Sequence, residues 1–194
     1  NVYKEDTTMA NQDSAFGLRP SGKVGQNRDN QGLSEYNIAA SAAAIYFNDP
    51  VEMANTGTIT VAAASDVLLG SLTGVFFTDA TTEKPTYANH LNAGNTATDI
   101  VAFVSDDPYQ RFEIQSAGTP AQTNIGNCAD IVYAAGSSPN YVSGVEISGT
   151  MAAGAAQLKI IGASKEIDNN ELGSANTNLI VTINEHFLKQ TAGI

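Results

Sequence analysis

Ile100-Val101-Ala102-Phe103-Val104-Ser105-Asp106-Asp107-Pro108-Tyr109-Gln110-Arg111-Phe112-Glu113-Ile114-Gln115 is the stretch whose reading decides the fold. Ile100 to Val104 is a continuous apolar run rich in β-branched and aromatic residues, which reads as a strand buried on both faces. Asp106-Asp107-Pro108 then breaks the chain. Asp side chains accept from nearby backbone N–H groups in turns, and Pro has no N–H to offer a ladder. From Tyr109 to Gln115 the pattern changes to alternation, Phe112 and Ile114 against Arg111, Glu113 and Gln115, the mark of a strand with one wet face. No helical period lies between these two runs.

The same grammar extends in both directions. Gly57 to Ala63, Gly74 to Thr78, Val142 to Ile147, Gln157 to Ile161 and the alternation Leu179, Val181, Ile183 are short runs separated by Gly, Pro, Asn and Asp. About nine or ten such strands without helical periods between them point to a sandwich or barrel. The expected class is mainly β: a single β-barrel or β-sandwich body with an extended N-terminal arm and at most one short helix. The Ala-rich window Ser34 to Ala44 is the place for that helix, and Cys128-Ala129-Asp130 suits a turn. The polar stretch from Thr81 to Thr98 reads as an exposed excursion rather than core.

Residues 1–35 differ from the rest. They are polar, carry four basic against five acidic residues, and hold only isolated apolar groups such as Phe16, Leu18, Val24 and Leu33. Such a segment cannot offset its ordering entropy with a core of its own. The compact phrase Ala15-Phe16-Gly17-Leu18-Arg19-Pro20 favours an arm that orders on a partner. The division expected is therefore 1–35 as an extended N-terminal arm, with a reach on the order of 115 Å if fully extended, and 36–194 as a β-rich body. Met9-Ala10-Asn11 reads as a translation start, with residues 1–8 as an upstream extension, and the polar opening lacks the apolar core of a signal peptide.

Charge and composition narrow the partners. The net charge is -11, and residues 36–194 hold five basic against fifteen acidic groups. That surface repels phosphates, so no nucleic-acid partner is expected. The longest weakly polar run, Ile38 to Phe47, is too short for a helical membrane span, which needs roughly 20 apolar residues. Cys128 is the only cysteine, so no intrachain disulfide forms, and it is expected to act as a small buried hydrophobe.

Catalytic patterns fare poorly. His90 and His186 are the only histidines, each without a second ligand at metal spacing or a nucleophile elbow nearby. Asp106 and Asp107 are adjacent, so on an extended segment they point to opposite faces. Asp168-Asn169-Asn170-Glu171 lacks the spacing of a calcium loop, and Gly149 to Gly154 lacks the Lys-Ser/Thr of a phosphate loop. No catalytic, cofactor-binding or metal-binding residue is assigned, no cofactor is expected, and the chain is not expected to be an enzyme.

Several phrases, in order, resemble a family of tailed-bacteriophage capsid cement or decoration proteins. They are Met9-Ala10-Asn11 with Ala15 to Pro20; Asp49-Pro50-Val51; Leu69-Gly70 with Thr73-Gly74-Val75; Val104 to Pro108 leading to Phe112-Glu113-Ile114-Gln115; Ser143-Gly144-Val145-Glu146; Leu158 to Gly162; Asp168 to Gly173; and Val181 to His186. The resemblance implies a structural virion protein on the outer surface of the capsid that cements neighbouring capsomers. Its implied partners are the major capsid protein and further copies of itself, with a homotrimer favoured because it matches a threefold position. It carries no catalytic residues. Within the arm, Phe16, Leu18, Arg19, Lys23 and Arg28 are the candidate capsid contacts. The main alternative is a β-sandwich carbohydrate-binding or adhesion module. That reading wants an exposed aromatic platform, and no single strand here shows three aromatics on one face. A carboxylate-based enzyme is a further alternative, and a major capsid or tail-tube subunit is disfavoured by the lack of a long spine helix.

Overall fold

A computed structural model describes residues 11–25 and 32–190. Its architecture is mainly β, with two single-turn 3-10 segments, Gln122–Asn124 and Phe187–Lys189, and no α-helix among the described residues. The described strands close no barrel; packed antiparallel sheets give a β-sandwich.

The first sheet has five strands. Its spatial order is β1 (Arg19–Lys23), β8 (Gln110–Gln115), β13 (Asn178–Ile183), β12 (Leu158–Ala163) and β9 (Cys128–Ala129). The second has six. Four strands, β2 (Ser34–Asn37), β7 (Val101–Ser105), β5 (Leu68–Thr78) and β3 (Pro50–Met53), lie side by side, β4 (Ile59–Val61) follows β3, and β6 (Pro85–Ala88) pairs with the far end of the long β5. A small ribbon of β10 (Ile131–Val132) and β11 (Glu146–Ile147) completes the set. Every ladder between strands is antiparallel.

Two cores result. The first gathers Phe112, Ile114, Leu158, Ile160, Leu179, Val181 and Ile183 under the five-stranded sheet, with Ile131, Val145 and Ile147 from the ribbon side. These are the inward positions of the alternating runs, so the period of two in the sequence becomes one buried face. The second gathers Val51, Ile59, Leu69, Leu72, Val75, Ala102 and Val104 under the six-stranded sheet, with Ile38, Ile45 and Leu91 from flanking segments.

The stretch around Asp106 is where the chain changes sheets. β7 belongs to the second sheet and β8 to the first, so Asp106-Asp107-Pro108 turns the chain from one core to the other. The chain returns to the second sheet after β13, where the Glu185 carbonyl accepts from the Leu68 N–H at 3.0 Å and Phe187 packs on the second core.

Four expectations change. Val101 and Phe103 face outward and are only partly buried, so β7 is not covered on both faces. The Ser34 to Ala44 window forms no helix. Ser34–Asn37 is instead β2, paired with β7, because that pairing and the packing of Tyr36 on the second core outweigh weak helix propensity. Cys128 and Ala129 form the edge strand β9, with Cys128 only half-buried. The polar stretch from 81 to 98 is not wholly an excursion. It contributes β6, and Leu91 is fully buried, with its backbone exchanging hydrogen bonds with Ile45 at 2.8 and 3.0 Å.

Candidate functional site: the N-terminal track

The described part of the N-terminal segment is extended, and it runs along the body rather than away from it. Asn11 donates from Nδ2 to the Ala175 carbonyl at 2.8 Å. The Gln12 backbone is held from both sides by the carboxamide of Asn169: its N–H donates to Oδ1 at 2.8 Å, and its carbonyl accepts from Nδ2 at 2.7 Å. The Ser14 N–H donates to Gln115 Oε1 at 3.0 Å, and Gln115 Nε2 donates back to the Gln12 carbonyl at 3.0 Å. Gln115 is itself fully buried, and its carboxamide is shared between this segment and the Asn176 carbonyl, which accepts from Nε2 at 3.3 Å.

At Gly17 the track becomes tight. Its φ is +73°, and a Cβ there would lie 2.4 Å from both the Asn48 carbonyl oxygen and the Ser143 Cβ. Only glycine meets both demands. The turn delivers Leu18 into the first core, where it is 0% exposed, and fixes it with a bond from the Leu18 N–H to the Asn48 carbonyl at 2.8 Å. Asn48 Nδ2 in turn donates to the Phe16 carbonyl at 3.1 Å. Beyond this point β1 pairs with β8, and Pro20, without an N–H, sits on an edge strand where that is tolerated.

The candidate contact residues are therefore placed as follows. Leu18 is a core residue and cannot face a partner. Arg19 forms ion pairs with the buried Glu113 and with Glu166, and its guanidinium lies over the Phe16 ring at 4.8 Å. Lys23 is nearly covered and pairs with Asp107 at 2.8 Å. Phe16 and Arg19 keep part of their surface in solvent. Arg28 lies outside the described residues. The segment from 11 to 25 thus belongs to the first sheet and its core, and the expected boundary between residues 35 and 36 falls inside β2.

The titratable groups are structurally occupied. Asp106 accepts from Ser34 Oγ at 2.9 Å and from the Tyr36 hydroxyl at 2.6 Å, which ties the start of β2 to the sheet crossing. Burial, followed by that carboxylate, raises the Tyr36 phenol above its usual range. Asp107 turns the other way, towards Lys23 and the Tyr109 N–H, so the adjacent carboxylates do not converge. His186 is fully buried. Its Nδ1 accepts from the Leu188 N–H at 3.1 Å, which leaves the proton on Nε2, and burial depresses its pKa to about 4. Asp49 is also fully buried; its Oδ2 accepts from the Tyr46 N–H at 2.7 Å, and burial pushes its carboxyl up to about 6. His90 stacks flat on Tyr141 with ring centroids 3.7 Å apart. Among the described residues, no group of three or more His, Cys, Asp or Glu side chains is arranged to hold a metal ion.

Asn169 and Gln115 stand in phrases legible in the sequence, but nothing in those phrases marks them as contacts of the N-terminal segment. Asn169 sits at φ +56° in the turn from 168 to 171, a conformation Asn tolerates well, and that turn is the clasp for Gln12. Comparison with known protein families, with curated proteins and with solved structures finds no match for this chain.

Proposed function

We propose that this chain is a structural virion protein that binds the outer surface of a tailed-phage capsid and cements neighbouring capsomers. Its partners are the major capsid protein and further copies of itself in a homotrimer. The observation that carries the reading is where the resembling phrases fall. Phe16-Gly17-Leu18, Asp49-Pro50, Phe112 to Gln115, Ser143-Gly144-Val145 and Asp168 to Gly173 are far apart in sequence. They meet along the N-terminal track through Gly17 against Ser143, the Leu18 N–H on the carbonyl of Asn48 just before Asp49, Ser14 on Gln115 and Gln12 on Asn169. Phrases that together build one tightly specified feature support a likeness of the whole body rather than of scattered surface words.

Burial of Leu18 moves the contact surface to the outer side of the track. Phe16, Arg19 and the exposed Gln12, Asp13, Ser14 and Ser21 present a mixed strip on an acidic body. Repeated weak contacts across an oligomer suit such a strip, because linked copies gain avidity without any one strong contact. The test is sedimentation with expanded, undecorated heads of the phage that encodes the chain. Saturable co-pelleting at a fixed ratio to the major capsid protein, reduced by Phe16→Ser, supports the reading. Folded protein that stays in the supernatant at every concentration overturns it. Light scattering that finds a monomer both free and after release from heads overturns the trimer.

A further inference from the structure

We propose that the outer face of the six-stranded sheet is a binding platform for a short neutral oligosaccharide. This goes beyond the capsid reading and does not depend on it. Pairing register builds the face. Phe76 on β5 stands opposite Tyr87 on β6, and Gly74, two residues earlier, stands opposite Phe103 on β7. The three rings therefore share one side of the sheet. Phe76 and Tyr87 have ring centroids 4.7 Å apart, and Tyr87 and Phe103 lie 6.4 Å apart with planes within 19° of parallel. Gly74 carries no side chain to stand between them. Tyr87 is 75% exposed, an unusual placement for a large ring whose only task is to cover its sheet.

The next strand supplies polar groups on the same side. In β2, Tyr36 points inward, so Glu35 and Asn37 point outward, and both are exposed. Glu35 stands opposite Phe103, and Asn37 opposite Val101, the residue that faces Phe76. From β2 to β6 the face spans three strand spacings, roughly 14 Å, the length of a short oligosaccharide. Its apolar end is ring surface, and its other end is a carboxylate and a carboxamide on β2, the edge strand among the described residues.

That chemistry selects among occupants. Sugar rings offer a C–H face to aromatic planes, and pairs of hydroxyls to carboxylate and carboxamide groups. Sites for small polar ligands combine apolar walls with a few placed hydrogen-bonding groups in this way. An anionic ligand would meet Glu35 and a surface of net charge -11. A cationic ligand wants ring faces converging on one point, whereas Tyr87 and Phe103 lie nearly parallel and do not converge. Neutral saccharide is the class left.

The test displays the full chain on a glycan array of neutral and anionic oligosaccharides, followed by saturation-transfer NMR with the neutral trisaccharide that binds best. The expected result is millimolar binding of at least one neutral trisaccharide, weakened about tenfold or more by Tyr87→Ala and by Asn37→Ala. Both side chains are exposed, so both variants are expected to fold, which circular dichroism checks. Retained binding in both variants places the sugar elsewhere and overturns the proposal. So does the absence of any neutral binder, a preference for anionic glycans, or a concentration-dependent self-association that Tyr87→Ala abolishes. None of these outcomes bears on co-sedimentation with heads, so the two readings fail separately.

Discussion

Replacing Asp49 by Asn should change how stability depends on pH, by an amount the structure sets. The Asp49 carboxyl rises from 3.8 to about 6 because the group is buried. The folded chain thus holds this proton more tightly than the unfolded chain does. The stability this contributes is full below the unfolded value and is lost as pH rises through about 6. Two pKa units correspond to about 3 kcal/mol. His186 works in the opposite sense. Burial lowers it from 6.5 to about 4, so its contribution is full above 6.5 and is lost as pH falls towards 4, again by about 3 kcal/mol. Between pH 4 and 6.5 the two slopes oppose each other, and in the native chain they nearly offset. Asp49→Asn removes one of them while its side-chain oxygen can still accept from the Tyr46 N–H. Relative to the native chain, the variant should gain about 3 kcal/mol on going from pH 4 to pH 8. His186→Asn, which can keep an acceptor for the Leu188 N–H, should lose a similar amount over the same interval, on top of a constant cavity cost. Urea unfolding followed by far-UV circular dichroism suits a chain with no Trp, and taking each variant as a difference from the native chain at each pH removes the titrations they share. A difference for Asp49→Asn that is constant within about 1 kcal/mol between pH 4 and pH 8, or that changes with the opposite sign, refutes the reasoning.

Three further substitutions test the fold and the track. Leu18→Ala opens a cavity in the first core and should cost about 2–5 kcal/mol in chemical denaturation; a cost near zero would mean that the N-terminal segment does not dock as described. Gly70→Ala would place a Cβ 2.2 Å from the Ser105 carbonyl, forcing β5 and β7 apart at a cost of about 1–3 kcal/mol, and an unchanged melting temperature would contradict that contact. Asn169→Gly keeps the positive φ but removes both bonds to Gln12, so amide exchange at residues 12 to 16 should accelerate while global stability falls by only about 1 kcal/mol. Equal exchange in both proteins would show that Asn169 is not the clasp.

The strands were legible wherever one chain segment carried its own pattern. Phe112 and Ile114, or Leu179, Val181 and Ile183, alternate because one face of each strand is buried, and that periodicity needs no partner to be read. Features that depend on pairing were not legible. Leu18 is one apolar residue among polar ones, and its burial is decided by the turn at Gly17 and by Asn48, thirty positions away. Tyr87, Phe76 and Phe103 come from three strands, so no single run displays three aromatics on one face, and only the register sets them side by side. Ser34 to Asn37 misled in the other direction, because the Ala-rich context following it speaks for a helix while the edge of β7 was free to take a strand. Leu91 lies in a polar neighbourhood, and its exchange with Ile45 is again a contact across distant sequence.

The long strand β5 carries one more implication. Leu68 belongs to the first core and its neighbour Leu69 to the second, because consecutive side chains leave a strand on opposite sides. At Leu68 and Leu69 the start of β5 is thus a party wall between two rooms, while Gly74, Phe76 and Thr78 further along lie on its partly exposed side. Neither core can empty without disturbing a wall the other relies on, and β5 is also held at its start by Glu185 and along its length by β3, β6 and β7. Pulled from its ends in a force experiment, the chain should rupture in one dominant event rather than two.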